Sequence, residues 1–279
     1  MVMTKKKRFL HYLIIYGLLF IALIWTIFPV YWMMKSSLTP DSEMSMARPH
    51  LFSASLTLDH YIQLVTQTNF MGNVLNSLYV AGITTVICLV ISVLASYAMT
   101  RLKFPLRNMF QKSIILSYLL PTAVLFIPMY VQVSAMGFND NKNGLLIIYP
   151  TFVVPYCCYM LMSYFSAIPY SLEEAALIDG CTRLQSMLKI IVPIALPGIA
   201  VVATFAFTMS WNEYLYALVM TTSSVQQTAT VGITGFKYAD QAIWGLIMSA
   251  SVVASLPVVI LYVVAQSMLV TGKTDGSVK

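Results

Sequence analysis

The chain has 279 residues, of which 59% are hydrophobic and only 9% charged, where a soluble domain carries roughly 25% charged residues. So few charges cannot cover a globule in water, and lipid is the natural solvent for most of the chain. The net charge of +6 sits at the edges of apolar runs and forms no interleaved basic face, which argues against a nucleic-acid partner.

Lys5, Lys6, Lys7 and Arg8 precede the first apolar run, Phe9 to Met34. A signal peptide also opens on basic residues, but its apolar core is only about 7–15 residues long and ends at a small-residue cleavage site. This run is longer and carries Trp25, Pro29, Tyr31 and Trp32, so a retained transmembrane helix is expected. Five further runs follow: Val74 to Met99, Phe110 to Val131, Leu145 to Phe165, Leu196 to Met220 and Ile243 to Val270. Each is long enough for a tilted span of about 20 residues. Pro121, Pro128, Pro150, Pro155 and Pro257 fall in or near these runs. A membrane bundle tolerates such kinks because neighbouring groups re-satisfy the freed backbone.

The loops set the orientation. With the N-terminus inside, the inner segments hold Lys5, Lys6, Lys7, Arg8, Arg101, Lys103, Arg107, Lys112, Arg183, Lys189, Lys273 and Lys279. The outer segments hold only Lys35, Arg48, Lys142 and Lys237. Cytoplasmic loops attract Lys and Arg, so both termini are expected in the cytoplasm. Segments 35–70, 132–144 and 221–242 are then outside, and 100–109 and 166–195 inside. The expected organisation is a basic cytoplasmic terminus at 1–8, a six-helix transmembrane domain over 9–270 with an inner loop at 166–195, and a cytoplasmic tail at 271–279.

That inner loop is the polar interruption with the most local structure. Ser171 followed by Glu174, and Thr182 followed by Gln185, are two capping-box patterns. Gly180 between them suits the left-handed residue that ends a helix. The spacing predicts a short helix over 172–178, a turn at Asp179-Gly180 and a second helix over 183–191, with Pro193 and Pro197 marking the return to the membrane. A helix this short is marginal alone and must lean on something. Ala175 and Ala176 give it a small, flat face, and Glu173 and Glu174 suit its positive end and could pair with partner cations. Capping boxes are common, so on local physics a connector packed only against its own bundle is an equal reading.

Glu174-Ala175-Ala176, Asp179-Gly180, Ile190 and Pro193 resemble the "EAA" signature of binding-protein-dependent ABC importer permeases. Other segments resemble the carbohydrate-uptake branch of that family, on the side of the smaller maltose-importer permease. They include Met33-Met34-Lys35-Ser36-Ser37-Leu38, Asn76-Ser77-Leu78, Ala95 through Arg101 and Trp211-Asn212-Glu213-Tyr214. The resemblance covers nearly the whole chain. One departure is that the family often carries an aromatic residue after the glycine, where Leu184, Met187 and Leu188 stand here.

The resemblance implies an all-α integral membrane protein with the six-helix type I importer fold, in a bacterial or archaeal plasma membrane. It implies that Glu173, Glu174, Ala175, Ala176, Asp179 and Gly180 form a coupling helix engaging a separate cytoplasmic ATPase. It further implies a second permease, two ATPase copies, an extracytoplasmic binding protein and a sugar, oligosaccharide or polyol as solute.

No catalytic constellation and no cofactor are expected. Gly272-Lys273-Thr274 mimics the end of a phosphate loop, but Ser267 stands where that pattern needs glycine. Cys88, Cys157, Cys158 and Cys181 read as small apolar residues. His11, His50 and His60 are scattered, which argues against a metal site. Glu213 is the one carboxylate inside an apolar run, and such a charge usually faces a cavity or a partner. With Asn212 and Tyr214 it is a candidate for the substrate pathway; an interhelical hydrogen-bond anchor is the competing reading. An ion-coupled secondary transporter is the alternative function. That class needs intramembrane ionisable groups or paired broken helices.

Overall fold

The computed structural model describes residues 5–44, 50–53, 55–238 and 241–274. In chain order these form α1 (Lys5–Ser37), α2 (Asp41–Met44), α3 (Asp59–Thr66), α4 (Phe70–Arg101), α5 (Arg107–Leu119), α6 (Thr122–Ala135), α7 (Leu145–Ile148) and α8 (Pro150–Ala167). They continue with α9 (Tyr170–Ile178), α10 (Arg183–Ser186), α11 (Val192–Ile194), α12 (Leu196–Trp211), α13 (Leu215–Met220), α14 (Ala229–Thr234), β1 (Lys237–Tyr238), β2 (Gln241–Ala242) and α15 (Trp244–Thr274). The antiparallel pair β1–β2, with Lys237 opposite Ala242, is the one strand ladder among the described residues. The chain divides into two compact units, Met1–Thr68 with Ile233–Val253, and Asn69–Gly232 with Ala254–Lys279. Arg48 and Lys279, counted in the charge bias, lie outside the described residues, as do most of the expected terminal segments.

Among the described residues three helices, α1, α4 and α15, are long and apolar enough to cross a membrane, and three bent pairs bring the number to six if each pair is one span. The run Phe110 to Val131, expected as one helix, is two: α5 and α6 meet at 94°. Leu120 is extended, as the residue before a proline prefers to be, and Pro121 then opens α6. The fifth run is also interrupted, since α12 ends at Trp211 and α13 starts at Leu215. Segment 35–70, expected outside, contains α2 and α3, and 221–242 contains α14 and the strand pair.

In the first unit α1 starts within the basic segment, at Lys5, and its most apolar stretch is exposed throughout. Its far end is tied down. The Tyr31 hydroxyl donates to the Leu51 carbonyl at 2.6 Å, Ser37 and Tyr61 share a hydrogen bond of 2.7 Å, and His60 Nε2 lies 3.0 Å from the Thr39 carbonyl. A Cβ on Gly245, at the start of α15, would strike the His60 ring.

In the second unit α4 is the central post. Ala81, Thr84, Cys88, Ser92, Ser96 and Thr100 are all buried, and steps of three and four place them in one stripe of the helix. Small residues let helix backbones approach closely in lipid. α8 uses this stripe: Ser92 Oγ donates to the Val154 carbonyl at 3.4 Å and Ser96 Oγ to the Cys158 carbonyl at 3.1 Å. Cys88, Val153, Cys157, Leu161, Val202 and Ala206 form the core shared by α4, α8 and α12. Gly198 admits the Tyr164 ring, to which a Cβ would come within 2.6 Å.

Towards the start of α4 a polar network pins the segment after α13. Asn76 Nδ2 donates to the Val225 and Gln227 carbonyls, Lys142 Nζ donates to Asn76 Oδ1 at 2.6 Å, and Asn69 Nδ2 donates to the Ser224 carbonyl. Asp140, in the left-handed region at φ 47°, accepts from the backbone amides of Thr222 and Ser223 at 2.8 Å each. The bonds from Ser223, then those from Thr222, hold the Asp140 carboxyl below its ordinary pKa. A lowered pKa stabilises the fold fully above the unfolded value and is lost as pH falls through the folded one. Cleavage of segment 221–228 by an acid-tolerant protease should therefore be flat from neutral pH down to about 5 and rise only below about 3.9, the ordinary aspartate value.

Candidate functional site

Segment 166–195, expected inside, forms two helical segments around a glycine turn. α9 begins at Tyr170 with Pro169 as its N-cap, and no side chain caps it. The expected Ser171–Glu174 capping box is not made, because Ser171 already lies inside the first turn and its hydroxyl cannot act as a cap. The C-terminus follows the expectation. The Cys181 amide donates to the Ala176 carbonyl at 3.0 Å and the Gly180 amide to the Leu177 carbonyl at 3.2 Å, with Gly180 at φ +85°. This 6→1 and 5→2 pair is a Schellman motif, which needs a left-handed residue at the position Gly180 holds.

The second expected box is present. The Thr182 hydroxyl accepts from the Gln185 amide at 3.3 Å, and the Gln185 side chain accepts from the Thr182 amide at 2.8 Å. Helical backbone then continues past the expected end at 191. A π-helical stretch, Met187–Ile191, leads into α11 and Pro193. Proline cannot donate to the carbonyl four residues earlier and crowds it. Widening to i→i−5 bonding, as from the Val192 amide to the Met187 carbonyl, opens the space. Met187, Ile191 and Ala195 are buried against Tyr97, Phe165 and Ile168. The chain then bends by 79° into α12, with Pro197 in its first turn.

α9 has two distinct faces. Glu173 and Ala176 are buried. Glu174, Ala175, Asp179 and Gly180 are exposed, and Ile178 is 85% exposed, unusual for so large an apolar residue. The two adjacent glutamates therefore point to different surroundings. Tyr97 donates its hydroxyl to Glu173 Oε1. Arg101 Nε lies 3.9 Å from Glu173 Oε2, and Arg183 lies 3.9 Å from Oε1. A cavity of about 1020 Å³ opens beside this cluster, lined by Arg101, Lys103, Arg107 and Arg183 with Glu173 and Glu174. The sequence marked Tyr97 and Arg101 only as part of a family-like segment, and Arg101 and Arg183 only as charges beside apolar runs, not as site residues. The signal available there was a cation and a tyrosine at the inner end of an apolar run.

The second candidate group, Asn212, Glu213 and Tyr214, occupies the break between α12 and α13. Asn212 and Tyr214 are exposed and Glu213 is half-buried. The Glu213 carboxylate accepts from the backbone amides of Tyr216 at 3.0 Å and Ala217 at 3.1 Å, and from the Tyr149 hydroxyl at 2.9 Å. It satisfies two otherwise unpaired amides of the first turn of α13 and ties α13 to the α7–α8 junction. The Thr230 hydroxyl holds the Glu213 carbonyl at 2.8 Å. The 16 residues of α12 place this group about 24 Å from the inner loop. Among the described residues no group of three or more His, Cys, Asp or Glu is placed to hold a metal ion.

Residues 89–273 match the family described as binding-protein-dependent transport system inner membrane component. The chain belongs to this family. The family's members are transport components of the inner membrane, and the matched region includes the inner loop, α12 and α13. The inner membrane ABC transporter permease protein YcjP of Escherichia coli K12 is 34% identical over 279 residues, covering 99% of this chain and all of that protein. The trehalose transport system permease protein SugB of Mycobacterium tuberculosis is 33% identical over 257 residues, covering 91% of this chain and 93% of the relative. In fold, the chain is similar to a crystal structure of a bacterial ABC transporter involved in the import of the acidic polysaccharide alginate. The TM-score is 0.81 at 20% identity, covering 96% of this chain and 99% of that one. The bent pairs of the membrane domain thus belong to the type I importer permease fold.

The Thr182 cap supplies two bonds to a short segment with few others. Thr182→Ala should destabilise α10 by about 0.5–2 kcal/mol. Amide hydrogen exchange at Leu184 and Gln185 should speed up while exchange in α4 stays unchanged.

Proposed function

We propose that this permease is the noncatalytic, pore-forming partner of a separate ATPase in a sugar importer, and that α9 is the element the ATPase grips. The observation that carries this reading is the outward face of α9. Glu174, Ala175 and Ile178 lie together at spacings of one, three and four, exposed, on a helix stopped by Gly180. An exposed isoleucine beside a small residue and a carboxylate fits a protein cleft better than water. Charge bias supports placing this loop, with both termini, in the cytoplasm. On this reading residues 9–270 are the membrane domain, 166–195 the coupling loop, and 1–8 and 271–279 the cytoplasmic ends.

Energy has to come from outside the chain. The helical backbone runs through Gly272-Lys273-Thr274, where a phosphate loop needs a strand and a turn. One chain offers one α9, so a two-lobed ATPase would use a second permease beside this one. The family description supports an extracytoplasmic binding protein that delivers the solute. A sugar, oligosaccharide or polyol is the solute class, supported by the trehalose permease relative. Ligand-driven closure of the ATPase would move α9 as a rigid lever and switch the pore between two packings. In this mechanism Asn212 and Tyr214 are the exposed side chains offered to the pathway. Glu213 keeps the break between α12 and α13 in place.

The test is ATP-dependent solute uptake by the complete complex in vesicles. Glu174→Lys places the wrong charge on the gripped face and should cut uptake at least about tenfold, as a mispaired interface charge does. Gly180→Pro, which removes both the left-handed conformation and the amide used in the turn, should do the same. Full uptake in both variants, or uptake by this chain alone driven by an ion gradient, would overturn the proposal.

A further inference from the structure

Arg101 ends α4, and its side chain is fully buried. Its Nη2 donates to the Phe165 carbonyl at 2.5 Å and to the Ile168 carbonyl at 2.7 Å, one in the last turn of α8 and one just past its end. The same guanidinium lies over the Tyr170 ring at 4.4 Å, and the Tyr170 hydroxyl donates back to the Thr100 carbonyl. Its Nε faces Glu173 Oε2 at 3.9 Å, about 1 Å beyond hydrogen-bond distance. Among the described residues neither of these two buried atoms has a hydrogen-bond partner. Tyr97, one turn earlier on α4, holds the other oxygen of Glu173.

One planar group therefore meets the end of α8, the first residue of α9 and the buried carboxylate of α9. We infer that Arg101 is the positioning residue of the lever: together with Tyr97 it clasps Glu173, so that α9 and the inner ends of α4 and α8 move as one body. The adjacent glutamates divide the work. Glu173 transmits displacement inward, and Glu174 faces the partner. The planar fork of arginine is what the arrangement requires. Lysine has the charge but cannot stack on Tyr170 while bonding two carbonyls and facing a carboxylate.

This rests on the reading of α9 as the coupling helix. The measurement is the ATP hydrolysed per solute imported, in vesicles holding the complete complex. Arg101→Lys should raise this ratio about fivefold or more, at the low end of couplings between distant sites, with the ATPase still co-purifying. Tyr97→Phe, which removes a single hydroxyl, should raise it in the same direction, and it decides the matter if Arg101→Lys does not assemble. A merely structural role would lower hydrolysis and uptake together and leave the ratio unchanged. An unchanged ratio in the assembled variants overturns the inference. If Glu174→Lys abolishes uptake while Arg101→Lys stays fully coupled, the clasp fails and the coupling helix stands. If both are fully active, the coupling-helix reading fails first.

Discussion

In hydrocarbon, a backbone amide or carbonyl without a partner costs several kcal/mol, and this constraint explains how the chain is allowed to stop being helical. At several interruptions a device collects the freed groups. Pro121 opens α6, where an amide would have lacked an intrahelical partner. The Glu213 carboxylate takes two amides at the start of α13. Arg101 takes two carbonyls at the end of α8. At the exposed end of α9, where water is available as a partner, Gly180 still lets the helix satisfy its own carbonyls. Breaks made this way hold their geometry, and a transporter needs bends that move as units.

The long elements were legible because apolar runs of more than 20 residues have few alternatives. The Thr182 cap and the Gly180 turn were legible because each rests on a residue type with a particular backbone role. The Ser171 cap was misread. Ser171 and Thr182 carry the same pattern, and only Pro169, which starts the helix one residue before Ser171, separates the two cases. The 94° break between α5 and α6 was underestimated, since a proline in an apolar run signals a bend without giving its size. The Arg101 cluster was not read as a site: it joins residues 64 to 76 positions away in the chain, and local spacing does not announce such a meeting.

The same limit applies to the two carboxylate groups. From the sequence Glu173 and Glu174 were both coupling candidates with nothing to say which faced inward, and Glu213 was an isolated charge in an apolar run. In the fold Glu173 is an inward contact and Glu174 an outward one, and Glu213 has three hydrogen-bond donors. Each assignment follows from which side of a helix the residue faces. The small-residue stripe of α4 settles much of this. By drawing α8 against it, the stripe brings the end of α8, and therefore Tyr170 and Glu173, within reach of Arg101.

The π-helical stretch before Pro193 has a consequence for angular phase. An α-helix advances about 100° per residue, so one surplus residue in a turn rotates everything after it by nearly that much. Met187, Ile191 and Ala195, spaced by fours, would drift by about 80° in total on an ordinary α-helix, and all three lie against the same core. The wide turn offsets that drift, so the apolar side of this segment keeps facing α4 and α8.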